Sequence, residues 1–81
     1  MVTPESIQQS IQQGMQQIHT EVSGDGAHFE AIVVSAEFTG KSRIQRHQRV
    51  YQALGDRMRD EIHALSMKTY TPQEWEKLQQ N

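Results

Sequence analysis

Apolar residues recur every three or four positions at the start of the chain, at Ile7, Ile11, Met15 and Ile18, with glutamines filling much of the space between. At helical spacing these four fall within an arc of about 80°, which predicts one amphipathic helix packed through a narrow stripe. Thr3-Pro4-Glu5 supplies its start: a capping hydroxyl, a proline where no amide donor is needed, and an acid at the positive end of the helix dipole. The pattern then shortens. His19 to Ser23 and Ala27 to Ser35 read as two strands joined by Gly24-Asp25-Gly26, a turn whose glycines tolerate positive φ. Phe29 to Val34 is apolar at both parities except Glu30, so its centre is expected to be covered on at least one side.

Phe38-Thr39-Gly40 interrupts the alternation, and Lys41-Ser42 leads into a second helix. Ile44, His47, Tyr51, Leu54 and Met58 are expected to share one side of it. Gly55 kinks or ends that helix, and Asp56 to Glu61 forms a short separate turn. Ala64, Leu65, Met67 and Tyr70 mark a third strand. Thr71-Pro72-Gln73-Glu74 combines a capping box with proline at the first helical position and starts a last helix carrying Trp75 and Leu78. A right-handed crossover through the middle helix makes the second and third strands parallel neighbours, while the hairpin adds the first antiparallel. The expected architecture is α+β: one domain over residues 1–81, with a three-stranded mixed sheet covered by helices on one face.

Composition narrows the classes. At 81 residues, a single domain buries only roughly 60% of the surface its unfolded chain exposes. Without cysteine there is no disulfide framework, and no apolar run reaches the ~18 residues of a membrane span. The start lacks the basic and apolar regions of a secretory signal, so a cytoplasmic protein is the expectation. The formal charge of −2 disfavours a chain built chiefly to grip polyanions. That average hides an asymmetry: residues 1–40 contain five acids and no Lys or Arg, and then Lys41, Arg43, Arg46 and Arg49 follow with no acid between them.

The candidate ligands are His19, His28, His47 and His63, and no two fall at the short spacing of a self-contained zinc site. By spacing alone, His63 reads as a surface or strand-cap histidine. His28, beside Phe29, either packs at a strand start or ligates. His47 shares a side with Ile44 and Tyr51 and reads as structural. Arg43, Arg46 and Arg49 recur every third residue, a pattern open to three readings: a solvated face, a surface for an acidic partner, or phosphate contacts on nucleic acid. No nucleophile elbow, phosphate-cradling glycine loop or catalytic carboxylate pair stands in the sequence, so an enzyme is not expected.

Several motifs stand in fixed order: Phe38-Thr39-Gly40-Lys41-Ser42-Arg43, Arg46-His47-Gln48-Arg49-Val50-Tyr51, His63-Ala64-Leu65-Ser66 and Thr71-Pro72-Gln73-Glu74-Trp75. Together they resemble the BolA family across nearly the whole chain, and Gly24-Asp25-Gly26-Ala27-His28-Phe29 resembles its short-loop, IbaG-like branch. The resemblance implies a fold similar to the type II KH fold, although the G-x-x-G loop with which KH modules clamp RNA is missing from the sequence.

The resemblance also implies an adaptor in iron–sulfur cluster assembly and trafficking, one that pairs with a monothiol glutaredoxin. On this reading His63 is a ligand of a bridging [2Fe–2S] cluster whose sulfur donors come from the glutaredoxin and glutathione, giving mixed ligation of the Rieske kind. The family usually places a second donor in the loop between the first two strands. His28 is the nearest imidazole there, and Asp25 lies closer to the usual place as the alternative. Members are also associated with transcriptional regulation under stress, which would use Lys41, Arg43, Arg46 and Arg49 on DNA. A weak homo-oligomer is compatible with either role.

Overall fold

The structure is a computed structural model that describes residues 2–56, 61, 62 and 64–80. Helix α1 spans Pro4–Gly14, strands β1 and β2 span His19–Gly24 and Phe29–Val34, and a 3-10 turn covers Ala36–Phe38. Helix α2 (Arg43–Leu54), strand β3 (Leu65–Tyr70) and helix α3 (Pro72–Gln79) complete the described elements. All three helices carry capping boxes, with Thr3, Ser42 and Thr71 each accepting from the backbone N–H three residues on. Such a cap stabilises a helix start by about 1 kcal/mol.

The sheet order is β1-β2-β3, with β1 antiparallel and β3 parallel to β2. Register assigns the faces. Phe29, Ala31 and Val33 align with Leu65, Met67 and Thr69 of β3 and with Gly24, Val22 and Thr20 of β1. This face meets α1 and α2 in a core of Ile7, Ile11, Met15, Phe38, Val50, Leu54 and Ile62 packed against Phe29, Ala31, Val33 and Met67. Burying one such side chain contributes roughly 1.5–3 kcal/mol. The opposite face carries Glu21, Ile32 and Lys68 in one transverse row and His19, Val34 and Tyr70 in another. Trp75 of α3 packs on His19 and Tyr70, and Val34, in the same row, is fully buried.

Three expectations about apolar positions change. Ile18 lies beyond α1 and is 65% exposed: the chain leaves the helix at Met15, whose N–H still reaches the Ile11 carbonyl at 3.1 Å. Ile44 and Tyr51 face solvent at 71% and 39%. The packed side of α2 runs through Val50 and the expected Leu54, both buried in the core. The segment that interrupts the alternation begins in a 3-10 turn capped by Ser35, and its Phe38 is fully buried. Met58 lies outside the described residues.

Helices α1 and α2 touch backbone to backbone at Gly14, where an added Cβ would stand 2.5 Å from the carbonyl oxygen of Ala53. Gly14→Ala is therefore expected to force the helices apart and destabilise the domain by about 1–3 kcal/mol despite alanine's better helix propensity. In a domain of this size that lowers Tm by several degrees, measurable by thermal circular dichroism.

Candidate functional site

The hairpin loop is built around Asp25. Its Oδ1 accepts the backbone N–H groups of Ala27 and His28, both at 2.9 Å, and its own N–H donates to the His28 carbonyl at 3.1 Å. Gly26 supplies the φ of 98° that lets the chain turn back. Bonds from the His28 and Ala27 amides hold the Asp25 carboxyl below the usual carboxylate range. The carboxylate thus folds the loop, and His28 leaves it exposed, with no side-chain hydrogen bond among the described residues.

The next residue, Phe29, donates its N–H to the Ala64 carbonyl at 2.9 Å. This bond lays the entrance of β3 beside the exit of the hairpin. Ile62 is buried in the core and Ala64 is half-buried. His63, which stands between them in the chain, lies outside the described residues. The structure therefore brings the backbone of Ala64 to the strand start that follows His28.

The basic segment divides. Arg46 extends back along α2: its Nε donates to the Lys41 carbonyl at 3.0 Å, and its Nη1 donates to the Thr69 carbonyl at 3.3 Å and to Glu74 Oε1 at 2.8 Å. Arg49 donates from Nε to Glu37 Oε1 at 2.8 Å and from Nη2 to the Gly14 carbonyl at 3.3 Å. Both side chains are largely covered, at 14% and 22% exposure. Lys41 and Arg43 remain at the rim of a groove of about 320 Å³ between α2 and the β3 edge, where Lys68 joins them. His47 also lines it, and burial, with Arg43 adding its charge, holds that imidazole below its ordinary value. Lys68 escaped the sequence reading, although its place next to Met67 in an alternating strand marks it as outward-facing.

A family profile described as BolA-like protein matches residues 2–74. The chain belongs to the BolA family. It is 48% identical to the acid stress protein IbaG of Escherichia coli strain K12, covering 75% of this chain and 71% of that protein. It is 37% identical to the DNA-binding transcriptional regulator BolA of Haemophilus influenzae, covering 86% of this chain and 82% of that protein. Among solved structures, a bolA protein homologue from Coxiella burnetii superposes with a TM-score of 0.82 at 48% identity, over 94% of this chain and 99% of that one. The α+β fold of this BolA-family chain is thus matched by its relatives. Among the described residues, no helix is long and apolar enough to cross a membrane.

The two acids that hold the arginines carry a pH signature. A hydrogen bond from Arg49 keeps Glu37 below its ordinary value of 4.5, and one from Arg46 does the same for Glu74. A carboxyl depressed in the folded state adds stability that is present above its unfolded value and lost as pH falls through the folded one. Tm is therefore expected to drop as pH falls below about 4.5. Glu37→Gln should lower Tm at neutral pH and flatten that acid limb, as thermal melts from pH 7 to 3 would record.

Proposed function

We propose that this chain is an adaptor that completes the ligation of a [2Fe–2S] cluster bridging it to a monothiol glutaredoxin, with His63 and His28 as its donors. The observation that carries the reading is the Phe29 to Ala64 hydrogen bond, which joins the hairpin bearing His28 to the strand entrance that follows His63. An exposed imidazole on a loop preorganised by Asp25 fits half of a shared ligand set. Having no cysteine, the chain offers nitrogen and oxygen donors, and the thiolates that such clusters otherwise take come from the partner and its glutathione.

The test is anaerobic mixing with a cluster-loaded monothiol glutaredoxin, read by visible absorption and by sizing. His63→Ala is expected to leave the fold within about 0.5 kcal/mol and to abolish or destabilise the mixed-ligand spectrum. An unchanged spectrum and cluster lifetime would sink the assignment. His28→Ala should weaken the bridged cluster, whereas Asp25→Ala loosens the loop and leaves the spectrum nearly intact. The reverse pattern transfers the second ligand to the carboxylate.

A second reading, a DNA-binding regulator, is favoured by the groove that gathers Lys41, Arg43 and Lys68 and by the name of the Haemophilus influenzae relative. Three phosphate contacts give log K a slope of roughly −3 against log salt and non-specific binding no tighter than about micromolar at physiological salt. Lys41→Gln, Arg43→Gln and Lys68→Gln should each reduce that slope by about one. Arg49→Gln should instead lower Tm. A nanomolar, sequence-specific complex that survives moderate salt makes the regulator the primary function.

A further inference from the structure

Strand β3 is one edge of the sheet: it pairs with β2 and, among the described residues, has no strand on its other side. Two bonds fix which of its backbone groups point where. The Ala64 carbonyl accepts the Phe29 N–H and the Tyr70 carbonyl accepts the Ser35 N–H, so in the parallel register Ser66, Lys68 and Tyr70 turn their N–H and C=O groups toward β2. Leu65, Met67 and Thr69 turn theirs outward. The Arg46 Nη1 meets the Thr69 carbonyl from that side at 3.3 Å. A hollow flanks the edge on each face of the sheet, one of about 320 Å³ beneath α2 and one of about 420 Å³ on the opposite face, and Arg43, Met67 and Lys68 border both.

We propose that the β3 edge takes up an extended acidic segment of a partner protein as a fourth strand, held by main-chain hydrogen bonds at Leu65, Met67 and Thr69 and by the cations around them. Successive side chains of a strand point to opposite faces, so a strand added here sends its side chains alternately into the two hollows. Beneath α2 they meet His47, with Lys41 at the rim, and Ile44 and Tyr51 lie exposed on the side of the helix that their spacing shares with His47. That side takes apolar groups. On the opposite face they meet Lys68 beside Arg43, and neither cation forms an ion pair among the described residues. This side takes carboxylates. Main-chain bonds supply the affinity of such strand addition, and alternate side chains supply its selectivity.

Charge selects the occupant. Lysine and arginine at an open edge guard it against the wrong strand, and here Lys68 and Arg43 repel the same edge of a second copy. The acids of the sheet stand farther off. Glu30 aligns with Ser66 from β2 and Glu21 lies on β1, so an added strand is roughly 10 Å and 15 Å from their strands, about a Debye length or more, whereas Lys68 is one spacing of about 5 Å away. Nucleic acid fits the edge less well. Its phosphates accept hydrogen bonds but cannot donate to the outward carbonyls of Leu65 and Met67, and three cations on a body of net charge −2 attract a polyanion weakly. Strand addition uses neither His28 nor His63 and is therefore independent of cluster ligation.

The probe is an end-blocked octapeptide alternating valine and glutamate, titrated into the isotope-labelled full chain at neutral pH and read by amide NMR. The amides of Leu65, Met67 and Thr69 are expected to shift most and to gain protection from exchange, while those of Ser66 and Lys68, already paired with β2, change little. Two N-methylated forms of the peptide test the backbone bonds: methylation of one alternate set of amides should abolish binding and methylation of the other should leave it, because only one set faces β3. Lys68→Gln and Arg43→Gln should each weaken binding roughly two- to fivefold, the range of an exposed ion pair. A peptide alternating valine and lysine should not bind. Absence of binding, which leaves Lys68 and Arg43 as guards of the edge alone, or equal behaviour of the two methylated peptides overturns the proposal. So does a short DNA duplex that shifts the outward amides where the peptide does not. Protection of the Met67 and Thr69 amides that grows with protein concentration in the peptide-free chain assigns the edge to a second copy and also overturns it.

Discussion

Arg49 reaches three elements from one guanidinium. Its Nε holds Glu37 within the 3-10 turn, its Nη2 holds the Gly14 carbonyl at the end of α1, and its backbone belongs to α2. Glu37 completes the circuit by accepting the Gln16 N–H at 2.8 Å. At the end of α1 the Gly14 carbonyl and the Gln16 N–H that follows are therefore both bonded to neighbouring elements. Removing either charge leaves a partly covered polar group without its partner, a larger loss than the net worth of an exposed pair. The angle at which α1 and α2 lie on the sheet, and with it the packing of Ile7, Ile11, Val50 and Leu54, rests on this junction.

Arg46 does comparable work at the other end of α2, tying it to β3 through Thr69 and to α3 through Glu74. A row of cations that reads as one basic face thus separates into tethers and, among the described residues, charges that form no ion pair within 4 Å. Lys41, Arg43 and Lys68 remain to meet a partner, on a body whose net charge is −2. Three cations suit a protein surface or a weak polyanion contact better than a high-affinity grip on nucleic acid.

The parts of the fold that depend on local chemistry were legible. Thr3, Ser42 and Thr71 each cap where the pattern puts a helix start, the Asp25 hairpin lies where its glycines place it, and β1 and β3 flank β2 antiparallel and parallel as the connections require. What depends on tertiary pairing was not. Nothing local distinguishes Ile44, which faces solvent, from Val50, which is fully buried. The rotation of α2 follows from the tertiary packing of Val50 and Leu54 in the core, with Arg46 and Arg49 reaching Glu74 and Glu37 on other elements, and periodicity within the helix cannot carry that. Ile18 continued a helical spacing that the chain abandons at Met15 in order to enter β1. At the candidate site, the family resemblance pointed to His63 and offered His28 or Asp25 as the second donor. The restraint of Asp25 by two backbone amides is a loop geometry that the residue types permit without specifying.

Strand β3 connects the two ends of chemical interest. Its entrance at Ala64 binds the exit of the hairpin, and its last residue, Tyr70, packs on Trp75. Six residues separate these ends by roughly 20 Å of extended chain, and β2 pairs with β3 along the whole length. A strand held by a full ladder transmits position well and accommodates local distortion badly. A ligand at the hairpin end therefore leaves the His19 stack undisturbed unless it shifts β3 as a unit, a shift opposed by Arg46 on Thr69 and by the buried Met67. The two ends are thus held apart on one rigid element, with the hairpin bonded at Ala64 and Trp75 packed on Tyr70.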